Sequence, residues 1–238
     1  MTGRADAPLR VVSLVPSVTE TLSAWGVEPI ACTRFCERAD LAHVGGTKNP
    51  DIGAILALDP DLVVVDRQEN RREDAEALGA AGLRVLALDV RSVGGLSDEL
   101  APLAAAVGVE LGASERPDLA ALGLRAFVPI WRRPWMTIGG RTYGSSVLAA
   151  LGVANVFADA PVDYPELELA DVAAHRPDVV LVPSEPYEFT AAHVAELDAI
   201  APTVRVDGRD LFWWGARTPG ALARLHVAIG GAVRDEQP

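Results

Sequence analysis

LDPDLVVVD at residues 58–66 and HRPDVVLVP at residues 175–183 share one layout, in which a Pro-Asp pair opens an apolar run. A second echo precedes each of them, because residues 11–30 and 136–156 both read as strand, polar loop, helix, glycine and a second apolar stretch. Short apolar runs that alternate with helix-like segments predict βαβ units and parallel sheets. Two copies of this layout predict an α/β fold with two lobes and a ligand cleft between them.

The repeats also predict the domain boundaries. We expect an N-terminal α/β lobe over residues 1–91, a connecting helical segment over 92–124 and a C-terminal α/β lobe over 125–238. Leucines and a valine recur every three or four residues between Leu96 and Val107, which is typical of a helix. Pro102 lies inside this pattern and is expected to kink it.

Composition excludes several classes of partner. The formal net charge is −12, which opposes nucleic-acid binding because that depends on Lys and Arg at phosphates. No apolar stretch approaches the roughly 20 residues of a membrane span, so membrane insertion is not expected. Residues 1–10 contain no long apolar segment, which predicts a chain that stays in the cytoplasm.

Enzyme signatures are absent from the sequence. It contains no GxGxxG after a strand, no GxxxxGK[ST], no GxSxG and no HExxH. The four histidines are scattered, so we predict no catalytic residue and no metal ligand, and a protein that is not an enzyme. Cys32 and Cys36 are interpreted as one buried small residue and one loop thiol, since a metal site needs more ligands than these and His43.

Aromatic residues are the most informative side chains. Eleven of the thirteen Phe, Tyr and Trp residues follow position 126, and many fall in predicted loops. Loops at the carboxyl ends of parallel strands form the ligand crevice of open α/β sheets. The sequence therefore predicts an aromatic wall for a large flat or partly apolar ligand, and the alternative is that the rings pack against one another beneath long loops. The rings concerned are Trp131, Trp135, Tyr143, Tyr187, Phe189, Phe212, Trp213 and Trp214.

Polar groups would orient such a ligand. Ser17 and Glu20 fit a capping box, which predicts a helix that begins at Ser17 and offers free amides to an anionic or carbonyl group. A second such helix start is expected near Ser145. Lys48, Arg133 and Arg217 are candidates to face acidic groups of the ligand, although each could equally be a solvated cation.

Six segments, taken in order, resemble the substrate-binding proteins of cobalamin and ferric-siderophore importers, the periplasmic-binding-protein-like group with a helical backbone. They are VSLVPSVTE at 12–20, LALDPDLVVV at 56–65, MTIGG at 136–140, YPEL at 164–167, LVPSEPY at 181–187 and WG at 214–215. The resemblance covers nearly the whole chain. It implies a binding protein for a corrinoid, haem-like or metal-chelate ligand.

The resemblance also implies site residues. Pro16 and Ser17 would contact the ligand from one lobe, and Trp131, Trp135, Tyr187 and Trp214 from the other. One surface acid in each lobe would meet arginines of an ABC permease. Glu185 or Glu188 would serve in the second lobe, and Glu69 or Glu73 in the first.

Two departures from the family leave alternatives open. Exported members carry a signal peptide or lipid anchor, so the resemblance implies an extracytoplasmic protein while residues 1–10 predict a cytoplasmic one, similar to offshoots called helical-backbone metal receptors. The connecting segment is also shorter than a family backbone helix of about 20–25 residues. A cytoplasmic sensor or chaperone, or an enzyme with Glu185 as its acid, is the alternative function. No obligatory cofactor is expected, with corrinoid, haem or ferric siderophore as the bound ligand.

Overall fold

A computed structural model describes residues 8–112 and 116–234. The chain divides into two compact units. The first comprises Met1–Val90 and Ser97–Gly112, and the second comprises Arg91–Leu96 and Ala113–Pro238. The segment predicted as a separate connector is thus shared between the two units.

The first unit is built on a parallel sheet with the strand order β3-β2-β1-β6-β7. Its strands are β1 (Val11–Ser13), β2 (Ala31–Cys32), β3 (Ala42–His43), β6 (Leu62–Asp66) and β7 (Val85–Leu88), and β4 (Gly45–Gly46) pairs separately with β5 (Asn49–Pro50). Every residue of β1 and β6 is buried, as expected for strands covered on both faces. Its helices are α1 (Pro16–Ala24), α2 (Ile52–Ala57), α3 (Arg72–Ala80) and, from Ser97 on, α4 (Leu96–Val107).

Helix α1 begins one residue earlier than predicted. Pro16 occupies its first turn, where the fixed φ of proline suits a helix and its missing N–H costs nothing. Val15 is the N-cap and makes no side-chain cap hydrogen bond, so the predicted capping box of Ser17 and Glu20 is wrong. The motif spacing was present, but the proline moved the helix start so that Ser17 lies inside the first turn.

The second unit contains a parallel sheet with the order β11-β8-β13-β14 and an antiparallel sheet with the order β12-β10-β9. The strands are β8 (Leu124–Phe127), β9 (Pro129–Trp131), β10 (Trp135–Thr137), β11 (Val153–Asn155), β12 (Glu166–Leu167), β13 (Val179–Pro183) and β14 (Thr203–Val206). The helices are α5 (Tyr143–Ala150), α6 (Leu169–His175), α7 (Ala191–Asp198), α8 (Gly208–Phe212) and α9 (Thr218–Arg234). The fold is therefore α/β with two lobes built on parallel sheets, as predicted.

The two parallel sheets repeat one topology. In the first, β2-β1-β6-β7 are adjacent, and in the second, β11-β8-β13-β14 follow in the equivalent order. α1 and α5 both end at a glycine in the left-handed region, Gly26 with φ 74° and Gly152 with φ 69°. Only glycine adopts this conformation without a Cβ penalty. Gly26 and Gly152, which hold equivalent positions in the sequence repeat, thus end equivalent helices.

One part of the predicted echo is wrong. The strand equivalent to β1 is β8, whereas Met136 lies in β10, which pairs antiparallel with β9 and β12. A hairpin is therefore inserted between the first strand and first helix of the second half. β8 and β10 are both short apolar runs, and the composition of such a run does not specify the strand with which it pairs.

The Pro-Asp pairs make the same contact in both halves. Asp61 Oδ2 accepts a hydrogen bond of 2.8 Å from the amide of Arg10, just before β1. Asp178 Oδ2 accepts one of 2.7 Å from the amide of Arg125, in β8. The guanidinium groups repeat the pattern, since Arg10 donates to the Leu58 carbonyl and Arg125 to the His175 carbonyl. Each aspartate thus fixes the register of two central strands.

Helix α4 is shorter than the family backbone helix implied by the resemblance. It spans 12 residues and passes through Pro102. At 1.5 Å per residue this is about 18 Å. Pro102 lies within the helix without ending it, and from Ser97 on the helix belongs to the first unit.

Candidate ligand-binding surfaces

In the first unit, polar residues gather at the carboxyl ends of β1 and β6. From β1 the chain runs first to β2 on one side and later to β6 on the other, so these two strands flank the point where the strand order reverses. Ligands of open α/β sheets bind outside the carboxyl ends at such a point. Asn70 joins the two strand ends, because its Nδ2 donates to the Leu14 carbonyl at 3.1 Å and its Oδ1 accepts from the Asp66 amide at 2.8 Å.

Pro16 and Ser17 lie at this edge but are buried. Beside them, Thr19 Oγ1 donates to Ser13 Oγ at 2.8 Å, and Ser13 Oγ donates to the Val15 carbonyl at 2.9 Å. These hydroxyls tie the first turn of α1 to β1. The ligand contacts predicted for Pro16 and Ser17 stay a prediction.

The other predicted residues of the first unit are more exposed. The Lys48 ammonium is exposed and donates to the Gln68 carbonyl at 2.9 Å. Glu69 is half-buried, and its amide donates to Asp66 Oδ1. Glu73 is exposed in the first turn of α3. Of the two predicted docking acids, Glu73 therefore presents its carboxylate more fully to solvent.

Asp66 is a buried carboxylate at this edge. Burial is the main cause that raises its pKa to about 6, opposed by the amides of Gln68, Glu69 and Val90, and Asp89 adds a like charge. Its Oδ2 makes no hydrogen bond with the described residues. A nearby cavity of about 580 Å³ is lined by Val65, Asp66, Arg67, Asn70, Arg71, Arg72, Ala75, Glu76 and Ala87. None of the predicted ligand-binding residues lines this cavity.

In the second unit, several predicted aromatic residues form one continuous cluster. The Trp131 ring meets Tyr187 edge-on with centroids 5.0 Å apart, and Tyr187 lies 4.9 Å from Phe189. Phe189 stacks on Trp135 at 6.0 Å. Trp131 is 45% exposed, Tyr187 is half-buried, and Trp135 and Phe189 are buried. The cluster therefore has one accessible end, at Trp131, and a packed interior.

The hairpin that carries Trp131 and Trp135 is held by a charged residue that sequence reasoning did not single out. Arg132 donates to both carboxylate oxygens of Glu196 at 2.8 and 2.9 Å, and its guanidinium lies 5.3 Å from the Trp135 ring centroid. Both hydrogen bonds come from Nη2, and because donor and acceptor are charged this contact is stronger than a neutral hydrogen bond. Arg133 is exposed in the same hairpin with φ 75°.

A second group in this unit centres on Trp213. Its indole Nε1 donates to Glu185 Oε1 at 2.7 Å, and the Arg217 guanidinium lies 5.5 Å from its ring. Arg217 also approaches buried Asp210 at 3.3 Å, and Arg224 donates to both oxygens of Asp210. Arg217, predicted to face a ligand acid, is thus paired with an acid of its own unit. Glu185 is half-buried, while Glu188 is exposed.

Two further predicted rings, Tyr143 and Trp214, are buried. The Tyr143 hydroxyl lies 2.8 Å from Thr218 Oγ1, and burial is the main cause that raises the pKa of Tyr143 to about 12. Thr142, not Ser145, is the N-cap of α5, and its hydroxyl accepts from the Ser145 amide. The accessible part of the predicted wall therefore consists of Trp131, with Tyr187, Phe212 and Trp213 half-buried.

Two properties hold for the described part of the chain. It contains no helix long and apolar enough to cross a membrane. It also contains no group of three His, Cys, Asp or Glu side chains that could hold a metal ion.

The chain has a two-lobed α/β fold built on parallel sheets. Comparison with known proteins confirms the resemblance seen in the sequence. A family model described as "Periplasmic binding protein" matches residues 11–116. The chain is similar to the vitamin B12-binding protein of Salmonella typhimurium, with 28% identity over 190 residues that cover 73% of this chain and 71% of the relative.

Solved structures share the fold over nearly the whole chain. The periplasmic vitamin B12 binding protein of Vibrio cholerae superposes with a TM-score of 0.74 and 19% identity, covering 96% of this chain and 98% of that one. The periplasmic heme-binding protein from Roseiflexus sp. RS-1 gives a TM-score of 0.75 and 21% identity, covering 95% and 99%. Both of these proteins are named as periplasmic.

Proposed function

We propose that this protein is a binding protein for a corrinoid or haem-like ligand and catalyses no reaction on it. The observation that carries the proposal is the accessible Trp131 ring, backed by Tyr187 and Phe189. A large flat ligand can stack on an exposed indole whose orientation is already fixed by neighbouring rings, so little side-chain entropy is lost on binding. The relatives named for vitamin B12 and heme support this class of ligand.

Delivery to an ABC permease is the transport role that we propose for this binding. Glu73 and Glu188 are the better docking candidates, because both are exposed. Glu185 accepts a hydrogen bond from Trp213 within its own unit, which reduces its availability to a partner's arginine. The location of the protein stays a prediction.

Titration of the full chain tests the proposal. Cyanocobalamin, haemin and a ferric siderophore are added separately, and quenching of tryptophan fluorescence is followed. We expect saturable quenching by a corrinoid or haem. If none of the three ligands quenches the tryptophan fluorescence, the proposal loses its basis.

A matched pair of variants locates the site. Trp131→Ala should weaken binding about tenfold, the equivalent of about 1.4 kcal/mol lost from one stacked ring. Tyr164→Ala is the control, since Tyr164 is a second ring of the same unit with a similar exposed fraction, 46% against 45% for Trp131. Equal weakening by both variants would contradict a site at Trp131.

A further inference from the structure

The thiols of Cys32 and Cys36 lie together in the first unit. Cys32 ends β2, and the next residues form a turn closed by a hydrogen bond of 3.1 Å from the Cys36 amide to the Thr33 carbonyl. This turn folds the chain back so that the two side chains contact each other. Both are unoxidised thiols, with exposed fractions of 0% for Cys32 and 5% for Cys36. The sequence interpretation of Cys36 as a loop thiol is therefore incomplete, because it is buried beside its partner.

Hydroxyl groups surround the Cys36 sulfur. Thr19 Oγ1, from the first turns of α1, lies 3.1 Å from Cys36 Sγ, and Thr33 Oγ1 lies 3.4 Å from it. A thiolate is a better hydrogen-bond acceptor than a thiol, so the ionised form of Cys36 is favoured when the Thr33 hydroxyl, or the Thr19 hydroxyl turned away from Ser13, donates to it. The same contacts hold the sulfur in one position relative to Cys32.

The two thiols are electrostatically different. The hydrogen bond from Cys32 is the main cause that lowers the pKa of Cys36 to about 6; Thr19 and Thr33 assist, while burial opposes. The pKa of Cys32 is raised because it donates to Cys36 and is buried, with Arg38 lowering it and Asp40 raising it. A cysteine whose pKa is lowered in this way carries more thiolate at pH 7 than an ordinary cysteine. Cys36 is thus the nucleophile and Cys32 the neutral neighbour.

We propose that Cys36 is a site of oxidation by hydroperoxides and that Cys32 resolves the product to a reversible disulfide. The Cys36 thiolate attacks one oxygen of the peroxide, the O–O bond breaks, and the products are a sulfenic acid and, after protonation, water or an alcohol. The Cys32 sulfur then attacks the sulfenic sulfur, an S–S bond forms, the S–O bond breaks, and the oxygen leaves as water with the Cys32 proton. Sulfur loses two electrons and the peroxide gains them. A dithiol reductant reverses the step by exchange.

Oxidation of the two cysteines would change the surroundings of an exposed aromatic ring, that of Phe35. Phe35 lies between the two cysteines and is 52% exposed, and the Arg34 guanidinium lies 4.9 Å from its centroid. A disulfide would draw Cys36 away from Thr19 and tighten this turn. The turn follows the carboxyl end of β2, which is the same edge of the parallel sheet at which α1 begins.

Non-reducing peptide mapping of the full chain tests the proposal. Trypsin cleaves after Arg10, Arg34 and Arg38, which places Cys32 in residues 11–34 and Cys36 in residues 35–38. After mild hydrogen peroxide treatment we expect these two peptides to be joined with the loss of two hydrogens, and dithiothreitol to separate them. With dimedone present, the adduct should appear on residues 35–38.

Two variants assign the roles of the thiols. In Cys32→Ser, the sulfenic acid should accumulate on Cys36 and react with dimedone. In Cys36→Ser, Cys32 should be oxidised at least tenfold more slowly than Cys36 in the wild type, because its thiolate fraction is small. The wild-type digest alone decides if either variant fails to fold. Two reduced cysteines after treatment, a first adduct on Cys32, or disulfides only between separate chains would overturn the proposal.

Discussion

The indole of Trp213 donates a hydrogen bond of 2.7 Å to the carboxylate of Glu185. This contact joins the loop after β13 to the segment after α8 within the second unit. It fixes the Trp213 ring from one edge, while Arg217 lies near its centroid. A candidate docking acid is therefore also a structural residue.

Replacing Glu185 by Ala should lower the free energy of unfolding by about 1–2 kcal/mol, because a hydrogen bond to a charged acceptor is lost. Glu188→Ala is the matched control, since Glu188 lies in the same loop and is exposed, and its effect should stay within about 0.5 kcal/mol. Urea unfolding measures both. Equal values for the two variants would show that the Trp213 contact contributes nothing.

Gly208 should be intolerant of a side chain. A Cβ at this position would lie 2.7 Å from the Glu185 amide nitrogen and 2.6 Å from its carbonyl oxygen. Gly208→Ala should therefore cost about 1–3 kcal/mol through overpacking. The control, Gly231→Ala in α9, has open space around the new Cβ and should gain about 0.5–1 kcal/mol from lower unfolded-state entropy. Thermal unfolding gives both signs, and a stable Gly208→Ala protein would contradict the close approach.

Asp210 should contribute much more than a surface ion pair. It is 3% exposed and accepts hydrogen bonds of 2.7 Å from Nε and Nη2 of Arg224. Arg217 Nη2 lies 3.3 Å from its Oδ1. Asp210→Ala removes a shared partner from two cations and should cost about 3 kcal/mol. Glu76→Ala, which breaks an exposed pair with Arg72, should change stability by less than about 0.5 kcal/mol. Similar losses in guanidinium unfolding would contradict this ranking.

Asp66 should make stability depend on pH in a definite direction. Its folded-state pKa of about 6 is raised above the ordinary value of 3.8, so between these values the folded protein binds more protons than the unfolded chain. The contribution of Asp66 therefore increases as pH falls from about 7 to about 4. The substitution Asp66→Asn can also lower the free energy of unfolding through lost contacts, but that loss does not vary with pH.

We therefore expect the wild type to gain about 2 kcal/mol relative to Asp66→Asn between pH 7.5 and pH 4.5. Urea unfolding of both proteins across this range measures the difference. Asp159→Asn, which removes the same charge at an exposed position, serves as the control. A difference that does not vary with pH would contradict the buried, shifted carboxyl.

The sequence predicted the lobes well because their signals are local. Apolar runs after Asp61 and Asp178 became β6 and β13, and the glycines after α1 and α5 ended those helices. The inserted hairpin was not predicted correctly, since strand pairing is a long-range property. Ser17 was displaced from the N-cap by a neighbouring proline, which took the first helical turn.

The candidate site was harder to predict from one sequence. Ring positions along the chain could be read, but the burial of Trp135 and Trp214 depends on partners far away in sequence. Asp66 ends β6 and Asn70 lies four residues later, so their position at a strand end could have been predicted from the sequence. The contact between Cys32 and Cys36 depends on a turn geometry that the CxxxC spacing permits but does not require.

The Arg10–Asp61 and Arg125–Asp178 contacts are chemically alike, so the two halves of the chain could exchange these partners during folding. Because the two contacts use the same groups, each aspartate could also bind the arginine segment of the other half. Chain proximity opposes this, because the native partners are 51 and 53 residues apart, whereas Arg10 and Asp178 are separated by 168. Closing the longer loop costs about 1 kcal/mol more. The other exchange, Asp61 with Arg125, spans 125 − 61 = 64 residues, so loop length disfavours only one of the two wrong pairings.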